Sequence, residues 1–302
     1  MKYFILLLIM CPMQIFSQKR VVSIESMYKS VGLISWTSTK SDTNGVGTGT
    51  VILKYIDNNR VGGYLVTCKH VLPDKSLTSF IDFKIGYNEN DSIKKIFTTK
   101  IPIYDAVGYY TPLVKVAQDG SDVAVIFISF PDSVAKYILK DLISYNFLAT
   151  KDTIAKYGIQ VGDDILYIGY PNAFYDPRNI SPLLKGGFIS TPPNEVYYFN
   201  PLLRTIYNQQ IGGMPEKLNG FLIDINATGG SSGSLVFLNP KPVRKIGNGI
   251  QLTYEGGYLF ILGILTSGYQ DLDIRVFKQK LNIIGVVSSE VIKRTIDLFP
   301  AK

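Results

Sequence analysis

One serine, one histidine and one aspartate stand where they could carry out chemistry together. Ser232 lies in a Gly- and Ser-rich run at 228–234 between two runs of strand-forming residues. His70 ends a strand-like run upstream, and Asp122 begins another. A serine hydroxyl is a weak nucleophile at neutral pH unless an imidazole takes its proton and a carboxylate orients that imidazole. These residue types indicate nucleophilic catalysis, provided that the fold brings them together.

Each of the three residues also has a plainer interpretation. A Gly/Ser cluster between strands is ordinarily only a turn, because Gly tolerates positive φ and Ser bonds to nearby backbone. Asp122 could simply begin a strand, and a histidine near a strand is more often packed or exposed than catalytic. His70 is the only histidine in the sequence, however, so no other imidazole could serve Ser232.

The same segments resemble those of the trypsin-like (chymotrypsin-fold) serine peptidases. The run Gly-Ser-Ser-Gly-Ser at 230–234 is similar to their Gly-x-Ser-Gly motif. The run Thr-Cys-Lys-His-Val at 67–71 resembles their histidine segment, and Ser-Asp-Val-Ala-Val at 121–125 resembles their aspartate segment. A further match is the run Gly-Val-Gly-Thr-Gly at 45–49. The resemblance extends over nearly all of the chain beyond its N-terminal segment and is closer to the small bacterial members of the family.

This resemblance implies a role for each residue. Ser232 would be the nucleophile, His70 the general base and then the general acid, and Asp122 the carboxylate that holds the imidazole. The backbone N–H groups of Gly230 and Ser232 would form the oxyanion hole. Glycine suits position 230, because turning its N–H toward an oxyanion can require a backbone angle that a Cβ would obstruct.

The resemblance also implies a substrate-binding region. Asn226 would lie at the base of the pocket for the residue before the cleaved bond, and Thr266, Ser267 and Gly268 would form the wall that pairs with substrate backbone. Because Asn226 has no charge, a strict preference for Lys or Arg is not expected. Small or polar uncharged side chains are the expected occupants.

The N-terminal segment indicates export. Residues 1–17 begin Met-Lys-Tyr, continue with an apolar run too short to span a bilayer, and end in Phe-Ser, which is typical of a signal peptide. Cys11 follows the bulky Met10, which argues against a lipoprotein. If Cys11 leaves with the signal peptide, Cys68 is the only cysteine that remains and no internal disulfide can form. We therefore expect a periplasmic or secreted bacterial protein.

Composition narrows the partners. With 46% hydrophobic residues, the chain is expected to be globular and not disordered. The formal net charge is +7, but Lys and Arg are scattered, so a nucleic-acid partner is not expected. One histidine, two cysteines and dispersed carboxylates make a metal site improbable, and no cofactor is expected. The expected partner is a protein or peptide substrate, with no stable membrane span, and the oligomeric state is left open.

The pattern of strands predicts an all-β protein. About six β-rich runs precede residue 131, and a second series follows residue 158; the runs at 31–37, 164–169 and 235–238 are among them. The run at 288–299 predicts a C-terminal helix, with apolar residues at i, i+4 and i+7.

We therefore expect two six-stranded antiparallel β-barrels of chymotrypsin-like type and a C-terminal α-helix. The N-terminal barrel would cover 18–130 and carry His70 and Asp122. A linker would cover 131–158, and the second barrel, with Ser232, would cover 159–302.

The predicted function is that of a serine endopeptidase acting through an acyl-enzyme, in a cleft between the two barrels. Two alternatives use the same fold: a catalytically silent protein that binds extended peptides, and an esterase with the same three side chains. The sequence leaves open the natural substrate and whether the long loops at 200–220 and 239–256 occlude the cleft.

Overall fold

The chain is mostly β-structure in the residues that the computed structural model describes, which are 23–57, 60–90, 94–210, 212–241, 243–246, 249–252, 259–270 and 280–300. The predicted signal peptide lies outside these residues. Among the described helices, none has the length and apolar character needed to cross a bilayer.

The first part of the chain is a short helix followed by seven strands. The elements are α1 (Ile24–Lys29), β1 (Val31–Thr37), β2 (Asn44–Asp57), β3 (Arg60–Thr67), β4 (Phe80–Asn88), β5 (Lys94–Pro102), β6 (Val114–Val116) and β7 (Ala124–Ile128). Strands β2 and β3 form a hairpin. His70 lies just after β3, and Asp122 lies just before β7.

The connecting segment after β7 is structured. It contains helix α2 (Asp132–Ile138), the two-residue strand β8 (Ile143–Ser144) and helix α3 (Lys151–Lys156). Strand β8 pairs with β2 in parallel. Ile138 and Ile143 are buried, so this segment packs on the core of the first part of the chain.

The first sheet is larger than predicted and is not a six-stranded barrel. Its strand order is β5-β4-β1-β2-β3-β7-β6, with β8 added beside β2. The segment that follows β5 and the segment that precedes β6 meet at one isolated antiparallel bridge, between Tyr104 and Tyr110. There the Thr111 N–H donates to the Ile103 carbonyl at 2.9 Å. Strand β5 ends at Pro102, which has no N–H to continue a ladder, and β6 has only three residues. The prediction that the N-terminal part of the chain also forms a closed barrel is therefore not confirmed.

The second part of the chain forms the closed six-stranded barrel that was predicted. The elements are β9 (Asp164–Gly169), β10 (Leu183–Ile189), β11 (Tyr197–Tyr198), α4 (Pro201–Gln210), β12 (Lys217–Leu218), β13 (Gly220–Asp224), β14 (Leu235–Leu238), β15 (Val243–Ile246), β16 (Gly249–Leu252), β17 (Ile261–Gln270), β18 (Lys280–Ser288) and the C-terminal helix α5 (Ser289–Ile296). The strand order in the barrel is β10-β13-β18-β17-β14-β9, and every pairing around it is antiparallel.

Two barrel strands are buried on both faces. In β14, Val236 belongs to the barrel core, whereas Leu235 and Phe237 belong to the larger core that includes the first sheet. In β9, Tyr167 and Ile168 divide in the same way. Successive side chains of a strand point to opposite faces, so a strand between two cores must be apolar throughout. This accounts for the unbroken apolar run of β14.

Helix α5 packs on the first sheet, as its apolar stripe requires. Ile292 and Ile296 are fully buried in the larger core. Beyond the helix, the Phe299 ring lies 5.3 Å from the ring of Tyr64 on β3, measured between centroids. The Tyr145 hydroxyl donates to the Asp297 carboxylate at 2.8 Å. The C-terminal end of the chain thus holds the first part of the chain against the barrel.

Adjacent glycines on β10 provide a test of barrel packing. A Cβ on Gly187 would overlap the backbone oxygen of Asp224, whereas a Cβ on Gly186 would meet Leu166 Cδ2 at an ordinary 3.6 Å. We expect Gly187→Ala to lower the free energy of unfolding by about 1–3 kcal/mol, as overpacking does. Gly186→Ala, the matched control, should change it by less than about 1 kcal/mol. Urea unfolding measures both, and equal stability of the two variants would contradict this packing.

Candidate active site

His70 and Asp122 are brought together by strand register. Strands β3 and β7 pair antiparallel with Thr67 opposite Ala124, so the segment after β3 and the segment before β7 lie at the same edge of the sheet. His70 lies in a single 3₁₀ turn, Lys69–Val71, just beyond β3. Asp122 lies two residues before β7.

The Asp122 carboxylate is hydrogen-bonded through both oxygens. Its Oδ2 lies 2.6 Å from His70 Nδ1 and accepts from the Thr266 hydroxyl at 2.5 Å, and its Oδ1 accepts from the His70 backbone N–H at 3.0 Å. Burial alone raises the pKa of Asp122, but the hydrogen bonds and charge of His70 and the Thr266 hydroxyl outweigh it and leave the pKa below its ordinary value. The carboxylate is thus held as an anion.

Ser232 is positioned by the tight turn between β13 and β14. The Ser231 N–H donates to the Thr228 carbonyl at 3.1 Å, and the Ser234 N–H donates to the Ser231 carbonyl at 3.0 Å. The Gly233 N–H donates to the Leu265 carbonyl on β17 at 2.8 Å. The turn is therefore fixed against the strand that carries Thr266.

Thr266 contacts both parts of the site. Its hydroxyl donates to Asp122, and its carbonyl accepts from the Ser232 hydroxyl at 3.2 Å. Among the described residues, no hydrogen bond joins Ser232 to His70. We expected Thr266 to bind substrate backbone, and its hydroxyl contact with the carboxylate was not anticipated.

The turn offers two free donors beside Ser232. Gly230 has a φ of +81°, and a Cβ there would lie 2.5 Å from the Tyr170 carbonyl oxygen, so this position requires glycine. Within the described part of the chain, neither the Gly230 N–H nor the Ser232 N–H has a hydrogen-bond partner. Two unpaired donors in one turn could bind an oxyanion.

Thr48 on β2 joins the first sheet to this turn. It is fully buried, and its N–H donates to the Ser232 carbonyl at 2.9 Å. Its hydroxyl donates to the Gly230 carbonyl at 3.0 Å and accepts from the Tyr170 N–H at 3.0 Å. The Thr67 hydroxyl donates to the Thr48 carbonyl at 2.7 Å. The sequence indicated the Gly-x-Gly-Thr-Gly segment that carries Thr48 but not this role.

His70, Asp122 and Ser232 line one open cleft of about 600 Å³. The segment between β10 and β13 also lines the cleft, with Tyr207 of α4 and Lys217 of β12. Helix α4 begins where the Asn200 side chain accepts from the Leu202 N–H at 2.9 Å, followed by proline at the first helical position. This Asn-Pro pair is the signal that could have revealed the helix in the predicted loop at 200–220. That segment forms a wall of the cleft.

A second pocket, of about 310 Å³, adjoins Ser232 and shares Thr266 and Gly268 with the cleft. The structure does not bring Asn226 into it. Ile225 and Ala227 are buried and Asn226 between them is exposed, as strand-like alternation requires. Thr228 and Asn282 supply polar groups instead, and the Ser267 side chain lies outside the described set.

One group of side chains has the composition of a metal site. The ligand atoms of Cys68, His70 and Asp122 lie within 4.8 Å of one another. Their hydrogen bonds are already made: His70 and Asp122 bond to each other, and the buried Cys68 thiol donates to the Leu265 carbonyl at 2.9 Å. Burial raises the pKa of this thiol well above its ordinary value. A protonated thiol is a poor ligand, so the group does not fit a resident ion.

Solved structures that are similar to this chain include a bacterial protease. The chain is similar to the active form of the Rv3671c protease from M. tuberculosis, known from its crystal structure, with 15% sequence identity and a TM-score of 0.46, over 92% of this chain and 84% of that chain. No protein-family model matches the sequence, and no curated protein matches it.

The contacts of Thr48 yield a stability prediction. Thr48→Val leaves the buried Tyr170 N–H without an acceptor and the partly buried Gly230 carbonyl without a donor. We expect the free energy of unfolding to fall by about 1–3 kcal/mol. Thr48→Ser keeps the hydroxyl and should lose less in the same urea titration. A valine variant as stable as the wild type would refute this account of the contact.

The Thr266 hydroxyl yields a prediction about acid titration. Thr266→Val removes a donor to Asp122, so the pKa of Asp122 should rise, whereas Thr266→Ser should leave it low. Because a depressed carboxylate pKa contributes stability that is lost as pH falls through the folded pKa, the stability difference between wild type and Thr266→Val should narrow below about pH 4. Carboxyl ¹³C NMR, assigned with Asp122→Asn, measures the titration. An unchanged Asp122 titration in the valine variant would count against the bond.

Proposed function

We propose that this protein is a trypsin-like serine endopeptidase, with Ser232, His70 and Asp122 as its catalytic triad. The observation that carries the proposal is that one cleft holds the chain's single imidazole, the carboxylate bonded to that imidazole, and a serine in a turn with two free N–H donors. A Gly/Ser turn with only a structural role would not require an imidazole and a carboxylate in the same cleft.

The contacts of Asp122 define the protonation of His70 in this mechanism. An ionised carboxylate only accepts hydrogen bonds, so the His70 nitrogen that faces it, Nδ1, carries the hydrogen. Nε2 then has its lone pair free to act as general base. The bond from the His70 backbone N–H to Asp122 Oδ1 holds the two residues in register.

The reaction proceeds in two balanced halves. Ser232 Oγ attacks the carbonyl carbon as its proton passes to His70 Nε2, and the oxyanion forms beside the N–H groups of Gly230 and Ser232. The C–N bond breaks when His70 returns the proton to the leaving amine, which gives the acyl-enzyme. A water molecule then attacks the acyl carbon as its proton passes to His70 Nε2. His70 returns that proton to Ser232 Oγ as the ester bond breaks, which releases the carboxylic acid and restores the serine. Each N–H donor of such a hole is worth about 10²- to 10³-fold in rate.

One observation favours a second candidate, a catalytically silent protein that binds peptides in the same cleft. The Ser232 hydroxyl donates to the Thr266 carbonyl and not to His70. The proposed reaction therefore requires rotation of the Ser232 side chain toward the imidazole. A protein in which this rotation never occurs would still offer the cleft and the edge of β17 to an extended peptide.

The remaining parts of the proposal concern the whole chain. We propose that residues 1–17 direct export, that the units at 18–130 and 159–302 contribute the two sides of the cleft, and that catalysis needs no cofactor. At the cluster of Cys68, His70 and Asp122, protein groups engage the carboxylate and the thiol, which favours a mechanism without a metal ion there.

A fluorophosphonate probe tests the proposal and separates it from the silent candidate. Wild-type protein should be labelled at Ser232 and should cut internal bonds of an unfolded protein, whereas Ser232→Ala and His70→Ala should do neither. Asp122→Asn should lower the rate by about 10⁴-fold, because it stabilises the wrong tautomer of the imidazole. Mass spectrometry reads both the label and the cut sites.

Ser190→Ala is the matched control. Its buried hydroxyl has no partner among the described residues and does not line the cleft, so labelling should proceed at the wild-type rate. Absence of labelling in wild-type protein, or labelling that persists in Ser232→Ala, would contradict the proposed triad.

A further inference from the structure

The charged groups of the cleft are few, and most are already paired. The charged or titratable side chains of the described lining are His70, Asp119, Asp122, Tyr207 and Lys217. Asp122 is bonded to His70, as described above. These two groups belong to the proposed catalytic centre, and the negative charge of Asp122 is engaged by the hydrogen bonds from His70 and Thr266.

Asp119 is also engaged. Its carboxylate accepts from the Arg294 guanidinium of helix α5 at 2.7 Å and from the Ser121 backbone N–H at 3.0 Å. The guanidinium compensates the negative charge of Asp119. The turn at 119–122 thus contributes no unpaired anion to the cleft.

Lys217 is the charged lining residue that stands apart. It is exposed, and among the described residues it has no ion-pair or hydrogen-bond partner for its side chain. Its backbone is fixed, because β12 pairs with β11 through Tyr198 opposite Lys217. The next residues fix the same segment: Leu218 is buried, and Asn219 Nδ2 donates at 2.9 Å to the hydroxyl of Ser121, the residue before Asp122. The cleft that contains the candidate triad is therefore also lined by an exposed cation on a fixed segment of backbone.

We propose that Lys217 is a specificity-determining residue that binds an acidic side chain, Asp or Glu, upstream of the cleaved bond. This inference rests on the proposed peptidase function. The cleft that Lys217 lines also contains Thr266 and Gly268 of β17, the strand edge along which the acyl part of an extended peptide would pair. Side chains of a peptide on that edge would face the wall built by α4 and β12.

The expected size of the effect follows from exposure. An ion pair between exposed side chains contributes only a small free energy. An upstream acidic residue should therefore raise kcat/KM by about two- to fivefold over its amide counterpart. The advantage should shrink with added salt, since the Debye length falls from about 10 Å at 0.1 M to about 3 Å at 1 M. This salt dependence distinguishes an electrostatic preference from a preference that depends on side-chain shape.

Peptide profiling tests the inference. Peptides that carry Asp or Glu, or Asn or Gln, at each upstream position are compared for kcat/KM with wild type, Lys217→Gln and Lys217→Glu. We expect the acidic preference at one or more positions to vanish in Lys217→Gln and to reverse in Lys217→Glu. Lys100→Gln is the matched control, because it makes the same charge change on β5, away from the cleft, and should keep the wild-type preference.

A binding measurement keeps the test independent of catalysis. Fluorescence anisotropy of labelled acidic and amide peptides is measured on Ser232→Ala with and without Lys217→Gln. If Ser232 is labelled by fluorophosphonate but neither cleavage nor binding responds to Lys217, this inference is overturned and the peptidase proposal stands. If labelling fails while binding of the acidic peptide depends on Lys217, the peptidase proposal falls and the acidic subsite stands.

Discussion

The site depends on one buried threonine. Thr48 has no solvent exposure, yet its N–H, its carbonyl and its hydroxyl all have partners, and two of these groups engage the turn that carries Ser232. An unpaired polar group in such a place would cost about 1–3 kcal/mol, so the turn and β2 must meet in one register. The position of Ser232 relative to the first sheet, and hence to His70, follows from that register.

The same constraint accounts for the glycines around the serine. A Cβ on Gly233 would overlap the Thr48 carbonyl oxygen, and a Cβ on Gly169 would overlap the Ser234 hydroxyl. Gly230 and Gly233 both have positive φ, at +81° and +84°. The glycines that make the run look like an ordinary turn are thus required by close approach of β2 and β9. The plain interpretation of a Gly/Ser turn and the functional one describe the same backbone.

Much of the fold could be predicted because local patterns coincide with packing. Strands β1, β9 and β14 have the predicted bounds, since alternating or continuous apolar runs there end at turn residues. The barrel in the C-terminal part of the chain and the C-terminal helix are confirmed for the same reason.

The rest depended on contacts that no local pattern encodes. Whether the first sheet closes depends on β5 meeting β6, and the three residues of β6 carry too little pattern to predict that meeting. The family resemblance implied a pocket position for Asn226, but this residue is exposed between the buried Ile225 and Ala227. The pairing of His70 with Asp122 was predicted from a resemblance, and the structure adds its cause, the register of β3 with β7. The roles of Thr48 and of the Thr266 hydroxyl required coordinates.

The position of the Ser232 hydroxyl decides how far this geometry is from a reacting one. Turning it from the Thr266 carbonyl to His70 exchanges one hydrogen bond for another, and such a bond contributes a net of about 0.5–1.5 kcal/mol. Enzymes lower their barriers by about 8–23 kcal/mol, so this rotation is a small fraction of the work of catalysis. The more demanding requirements are a carboxylate kept ionised and a serine turn with two free donors, and the contacts of Asp122 and Thr48 already meet them. The absence of a hydrogen bond between Ser232 and His70 is therefore weaker evidence against the peptidase proposal than the surrounding contacts are evidence for it.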